Sequence, residues 1–285
     1  MATLQVLRAG TPGPSAERWA TAFLLEIGDD LIMLDCGHGA TQRLVDSGRQ
    51  PKDVSHLFIT HHHSDHVVDY PCLFLSRWNQ CMGAEPSLRI FGPAPIERMT
   101  EQLFGEAGVF AEDIRARISH PASQHSHTRR GGELPRPGPD YEVREVTPGE
   151  RVDGGSWSAV CAEVEHMQPY MTCLGWRFDW DGGSCAFTGD ATRGEPLMEL
   201  ISGADTLVAN VVLRQERLSE VMGTCILGTL DAARVARDSG AERLVLAHLT
   251  PGLFDERAVA AAEMAQIYDG EIIFSEELMN LQLSG

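Results

Sequence analysis

Residues Thr60-His61-His62-His63-Ser64-Asp65-His66 close the apolar run Leu57-Phe58-Ile59 and place His61, His63, Asp65 and His66 within six residues. Imidazole and carboxylate are ligands that Zn²⁺ takes readily. The same groups packed together without a cation would carry desolvation and repulsion costs, so the segment reads as a metal-binding loop rather than a solvated turn. His62 alternates away from its neighbours in an extended segment and reads as a non-ligand.

Three further ligand types stand at the ends of apolar, strand-like runs. His166 follows Trp157–Glu165, Asp190 follows Ser184–Gly189, and His248 follows Arg243–Ala247. Ligands delivered by several strand ends can converge at one edge of a sheet, where loops meet and strands hold them rigidly.

With these residues in view, the chain resembles the metallo-β-lactamase superfamily, whose HxHxDH motif stands here as His61-x-His63-x-Asp65-His66. The resemblance spans nearly the whole chain and implies an α/β fold, a four-layer αββα sandwich. It implies that His61, His63 and His166 hold a first metal, that Asp65, His66 and His248 hold a second, and that Asp190 bridges them. The implied cofactors are two divalent ions per chain, Zn²⁺ first, with Mn²⁺ or Fe²⁺ as alternatives. The implied reaction is hydrolysis by a metal-bridging hydroxide, since cations lower the pKa of bound water from about 15.7 toward roughly 7. Asp65 is the candidate catalytic residue, steering that nucleophile or shuttling its proton. Asp35 and Thr60 are candidates to orient the metal-bound imidazoles. Asp69 could cap or orient the helix after the motif. Superfamily members that do di-iron redox chemistry carry Glu where His63 stands, which favours hydrolysis.

His166-Met167-Gln168-Pro169-Tyr170, Leu174-Gly175-Trp176-Arg177-Phe178, Phe187-Thr188-Gly189-Asp190 and Leu246-Ala247-His248 look like the ribonuclease Z-like branch. Two departures set the chain apart from tRNA processing. Only residues 167–189 separate His166 from Asp190, too few for a tRNA-clamping arm, and Leu227-Gly228-Thr229 carries leucine where the branch has a catalytic histidine. Leucine cannot donate a proton, so the expected substrate is a small molecule whose leaving group departs readily: a phosphodiester, sulfate ester, lactone or related activated ester or amide. The alternatives are a ribonuclease Z-like RNA 3′-processing endonuclease and a non-catalytic metal-binding scaffold or sensor. Substrate contacts are expected from Trp78, Met167, Tyr170, Met171 and Arg214, whereas Trp176, inside a strand-like run, reads as core.

The elements that must position these residues follow from hydrophobic periodicity and breakers. Strands are expected at Leu4–Arg8, Thr21–Ile27 and Leu31–Asp35 as an initial meander, and at His56–Thr60 delivering the motif. Helices are expected at Ala40–Asp46, Val67–Trp78, Ile96–Phe104, Leu230–Arg237 and Glu256–Tyr268. Residues 120–141, with Gly131, Gly132, Pro135, Pro137, Gly138 and Pro139, read as one long irregular loop or lid. No linker divides the chain, so residues 1–285 are expected to form a single domain whose two halves share one site.

Composition bounds the partners. With 285 residues, 43% of them hydrophobic, the chain can bury a large core, and no apolar run approaches the ~20 residues that cross a bilayer. Seven scattered cysteines without a Cys-x-x-Cys pair, and no signal-peptide pattern, suggest a cytoplasmic protein with free thiols. The net charge of −18, with Lys52 the one lysine among 23 basic residues, disfavours long nucleic acid as a partner. The densest basic stretch, Arg115 to Arg136, reads as a solvated loop in preference to an anion-binding one. The partners expected are a small-molecule substrate and a second copy of the chain as a homodimer, with no membrane.

Overall fold

The computed structural model describes residues 2–283. The first sheet carries β1 (Ala2–Ala9), β2 (Thr21–Ile27), β3 (Asp30–Leu34), β4 (His56–Phe58), β5 (Leu88–Gly92) and β6 (Tyr141–Glu145). The second carries β7 (Arg151–Asp153), β8 (Trp157–Glu163), β9 (Leu174–Trp180), β10 (Gly183–Phe187), β11 (Thr206–Leu213), β12 (Leu227–Gly228), β13 (Arg243–Ala247) and β14 (Glu271–Phe274). The final strand, β15 (Asn280–Leu283), returns to the first sheet beside β1. Strand orders are β15-β1-β2-β3-β4-β5-β6 and β14-β13-β11-β10-β9-β8-β7, with β12 on β11. The expected meander is β1–β2–β3, antiparallel throughout, and its second turn passes through left-handed Gly28. From β3 to β6, and across β10, β11, β13 and β14, neighbours run parallel, so their carboxyl ends share one edge in each sheet.

Helices cover the outer faces. They are α1 (Ala40–Asp46), α2 (Ser64–Val67), α3 (Tyr70–Gln80), α4 (Ile96–Phe104), α5 (Ala111–Ser119), α6 (Pro121–Arg129), α7 (Glu195–Ile201), α8 (Glu220–Gly223), α9 (Thr229–Ser239), α10 (Pro251–Asp255) and α11 (Arg257–Met264). None among the described residues is long and apolar enough to cross a membrane, and all seven cysteines are unpaired.

Three buried apolar clusters give the layers. One lies between the sheets, where Phe23, Phe58 and Phe91 meet Trp157, Trp176, Phe178 and Phe187. A second packs α7, α9 and α11 on the second sheet, and a third packs α1, α3 and α4 on the first. The arrangement is the αββα sandwich. In the central cluster the ring of Phe58 lies 4.8 Å from Trp176 and 5.1 Å from Phe178, centroid to centroid. Such aromatic pairs add about 0.5–1.5 kcal/mol each beyond area burial, so the strand that delivers the metal motif is clamped immediately before it.

Several boundaries differ from the sequence reading. The helix expected over Val67–Trp78 is two, α2 and α3, with Pro71 in the first turn of α3, where its missing N–H costs nothing. The Asp69 side chain caps α1 instead of α3, accepting the Thr41 N–H at 2.7 Å. The segment 120–141 is not wholly irregular. Pro121 opens α6, and His120 Nδ1 accepts the Ala122 N–H at 3.2 Å, so the helix runs to Arg129 before the glycines and prolines break it. The helix expected over Glu256–Tyr268 starts only at Arg257, after α10, and ends at Met264.

Gly37 is the tightest backbone approach beside the motif. A Cβ there would lie 2.0 Å from the Asp65 carbonyl oxygen and 2.8 Å from that of Thr21. Gly37→Ala should therefore lower stability by on the order of 2–4 kcal/mol, because main chain must move. Gly252→Ala, which meets nothing within 4 Å, should be neutral. Denaturant unfolding of both variants checks the contrast.

Candidate metal centre

The ligand types converge where strands of both sheets end. Thr60 and His61 follow β4, His166 follows β8, Asp190 follows β10 and His248 follows β13. The chain turns sharply after three strands, through left-handed Asp35 (φ 57°), Gly189 (φ 60°) and His248 (φ 60°). For the two non-glycine residues that backbone costs of order 1–3 kcal/mol each, a strain the surrounding contacts must hold. The Leu174 N–H to Thr60 carbonyl bond (2.9 Å) and the Trp176 Nε1–H to Ile59 carbonyl bond (3.3 Å) lock the sheets together beside the motif.

Two groups form. His61, His63, His166 and Asp190 make one, and Asp65, His66 and His248 the other, with ligand atoms in each group within 4.8 Å of one another. His63 Nδ1 faces His61 Nε2 at 3.0 Å and His166 Nε2 at 3.4 Å. His248 Nε2 lies 3.1 Å from Asp65 Oδ2 and 3.4 Å from Asp190 Oδ2. His66 Nε2 is 3.6 Å from Asp65 Oδ2 and also 3.6 Å from Asp190 Oδ1. Asp190 thus faces ligands of both groups.

The outer ring nitrogens are held by protein. Asp35 Oδ2 accepts from His66 Nδ1 at 2.7 Å, and the Cys225 carbonyl accepts from His166 Nδ1 at 2.7 Å. Asp35 Oδ1 accepts the Thr60 N–H at 2.8 Å, and the Thr60 hydroxyl donates to the same carboxylate (2.9 Å) while accepting from His61 Nδ1 (2.9 Å). Protons parked at these Nδ1 atoms leave the Nε2 atoms of His61, His66 and His166 facing inward, as lone pairs wherever the ring is neutral. Asp35 and Thr60 thus contact the outer ring nitrogens of His66 and His61.

Electrostatics favour the cation-binding state at His61, His63 and Asp190 and oppose it at His66, which would have to release a proton to a cation. Burial, then His66 and the imidazoles of His166 and His63, hold His61 well below the ordinary imidazole range against Asp190. Burial and His166 lower His63 in the same way. Burial opposes the charged form of Asp190, yet His248 and His66 hold it well below the usual carboxylate range. For His66 burial is likewise outweighed, by Asp35 and Asp190, and its pKa is raised well above normal. His66 Nε2 is buried with no hydrogen-bond partner. A tetrahedral cation with nitrogen ligands at about 2.0–2.1 Å spaces those atoms about 3.3 Å apart, close to the His63 separations. The donor set fits divalent metal.

The substrate-contact expectations divide. Met167 is half-buried, and Tyr170, 93% exposed, lies on the short loop after His166. Met171 packs partly into the core behind the second sheet. Trp176 is fully buried, as read from the sequence. Trp78 is not brought to the centre. It is buried near the far end of α3, donating to the Pro137 carbonyl at 3.2 Å. Arg214 is not a free substrate clamp, because Glu216 (2.6 Å), Glu256 (3.3 Å) and Glu263 (2.5 Å) surround its guanidinium.

Sequence reasoning missed Asn210, whose amide donates to Asp190 Oδ1 at 2.8 Å. Its signal was a lone amide in the apolar run Leu207-Val208-Ala209 before Val211-Val212. The Cys225 carbonyl had none. Also missed was the stack of Trp19 on His38, 4.6 Å between centroids and 13° apart, next to Gly37 and so beside the Asp65 main chain.

Comparison with known proteins agrees with this geometry. The family model described as a beta-lactamase superfamily domain matches residues 31–249. The ribonuclease Z of Mycobacterium avium (strain 104) is 30% identical, with 99% of each chain covered. The human short-form tRNase Z superposes with a TM-score of 0.72 at 19% identity, over 99% of this chain and all of that one. A diphosphatase of the PhnP family gives 0.67 at 15% identity, over all of this chain and 99% of the other. At these identities the two structures speak to the fold alone.

Asp35→Asn should weaken zinc affinity about 10–100-fold, the usual cost of losing a carboxylate behind a ligating histidine. Competition against a fluorescent chelator measures it, and unchanged affinity would remove Asp35 from the centre.

Proposed function

The chain belongs to the beta-lactamase superfamily, in its ribonuclease Z-like branch, and from that premise we propose a binuclear, zinc-dependent hydrolase of small ester-type substrates. The observation that carries the reading is the union of a complete seven-residue ligand set with a buried Leu227. Leu227 is 1% exposed and belongs to the apolar cluster behind the second sheet. No proton reaches a leaving group from that position, so the substrate class is one with a good leaving group: a phosphodiester, sulfate ester, lactone or other activated ester or amide.

Divalent cations bound by the two ligand groups would supply Lewis acidity and a water acidified toward neutral pH. The chain's own residues do the rest. Asp65 directs Oδ2 toward His248 and His66, and in this reading its Oδ1 steers the attacking water and takes its proton. Asp190, oriented by Asn210, spans the two ligand groups. Met167 and Tyr170, on the loop after His166, are the residues we assign to the substrate mouth. Both sheets contribute ligands, which supports treating residues 1–285 as one functional unit. Seven unpaired thiols support a cytoplasmic setting.

The relatives named ribonuclease Z support a second reading, cleavage of RNA. Against it, the Val164 N–H meets the Cys173 carbonyl at 2.9 Å, closing residues 164–173 into a short loop with no arm, and the net charge is −18.

A panel of chromogenic phosphodiester, sulfate ester, lactone and β-lactam substrates, run beside a pre-tRNA, tests the assignment. Turnover of one small ester, abolished by EDTA and restored by Zn²⁺, is expected. Asp65→Asn should lower it about 10²–10⁴-fold while retaining part of the metal. Cleavage of pre-tRNA alone would establish the second reading. Bound metal with no turnover of any substrate would favour a scaffold or sensor.

A further inference from the structure

Away from the metal centre, the region read from the sequence as a lid roofs a different cavity. It encloses about 420 Å³ and is lined by Phe74, Trp78, Leu88, His127, Arg136 and Pro137 among others. Leu88 is the first residue of β5, so the cavity opens at the sheet edge opposite the carboxyl ends that carry the metal ligands. Helix α3 separates the two sites. Its eleven residues start beside the motif and run about 16 Å to Gln80.

The charge arrangement at this cavity is anomalous for so acidic a chain. Arg117 Nη1 (3.3 Å), Arg130 Nη2 (3.5 Å) and Arg136 Nη2 (3.3 Å) all converge on Oδ1 of Asn79. A neutral amide oxygen offers two lone pairs and no charge, so it cannot neutralise three guanidinium groups, and the Arg117 carbonyl that accepts from Arg136 Nη1 at 3.4 Å adds no charge either. One carboxylate, Asp113, pairs with Arg117 at 2.8 Å. Glu85, on the cavity wall, accepts the main-chain N–H groups of Met82 and Gly83, and Asp140 is the other acid of the lining. Arg136, only 4% exposed, links the cluster to the cavity, its guanidinium carbon 4.6 Å from the centre of the Trp78 ring. His127 adds a second, independent sign. It is 1% exposed and lines the cavity, and neither ring nitrogen makes a hydrogen bond of good geometry, the Glu133 main chain being its one hydrogen-bonding neighbour. Unpaired buried nitrogens of this kind cost free energy unless something else meets them.

We propose that this cavity is a second ligand site, for a small organic anion. A phosphate or carboxylate sits against Arg117, Arg130 and Arg136, an apolar or aromatic body lies along Trp78, and His127 meets a polar atom of the ligand. Anionic oxygens accept from guanidinium far better than an amide does, and a planar body extends the Arg136–Trp78 stack. The site is independent of the hydrolytic reading.

Calorimetry with naphthylmethylphosphonate and naphthylacetate tests it, with naphthylethanol as the neutral control; the first two separate phosphate-type from carboxylate ligands. The wild type should bind at least one anion and bind the neutral alcohol more weakly. Arg136→Gln should weaken that binding about tenfold or more, and Arg130→Gln, an exposed change that leaves folding intact, severalfold. Asp190→Asn, in the metal centre, should leave it unchanged. The proposal is overturned if no probe binds, if naphthylethanol binds as tightly as the anions, if Arg130→Gln binds as the wild type does, or if Asp190→Asn abolishes binding.

Discussion

The structure turns on the gathering of five imidazoles and two carboxylates, most of them buried, where strands of the two sheets end, and neither all-neutral nor all-charged protonation is comfortable there without a cation. His61, His66, Asp65 and Asp190 are nearly inaccessible to water, and the rings of His61 and His66 lie 4.1 Å apart. Water cannot screen them, so their repulsions and attractions are worth several times what they would be on a surface. A divalent ion in each group would offset the repulsions among these side chains. Without ions His66 is the group lifted toward the charged state, wedged between Asp35 and Asp190.

Holding such a cluster requires rigid mounts. The ligands leave strands that are themselves clamped, by Phe58 against Trp176 and Phe178, and by main-chain bonds from Leu174 to Thr60 and from Leu249 to Ala9 that join the sheets at this edge. Left-handed turns at Asp35, Gly189 and His248 redirect the chain immediately after the strands. Asp35 then serves three donors at once, Thr60 N–H, Thr60 Oγ1 and His66 Nδ1, so one carboxylate orients both the motif's main chain and a ligand ring. The same design leaves the other end of α3 free of catalytic duty, and there the Trp78 cavity and its arginines lie.

Much of this was legible in the sequence because ligand chemistry is local and unusual. Five histidines and two aspartates at strand ends are costly to bury together unless a cation joins them, and the hydrophobic runs before them located the strands. Asp35 and Thr60 were readable from their places next to strand ends. What sequence could not carry depends on long-range geometry. Nothing in Trp78 announces that α3 takes it away from the motif, nor in Arg214 that three glutamates from 216 to 263 converge on it. The 120–141 segment misled because its breakers cluster after Gly131, whereas Pro121 sits where a helix tolerates it. Asn210 was missed because a buried amide gains meaning only from the carboxylate it faces.

Anomalous diffraction from crystals equilibrated with Zn²⁺, recorded on both sides of the zinc edge, tests the central claim most directly. Two peaks are expected about 3.5–4 Å apart, one among His61, His63 and His166, the other among Asp65, His66 and His248, with Asp190 between them. A single peak, or none at these residues, would contradict the account.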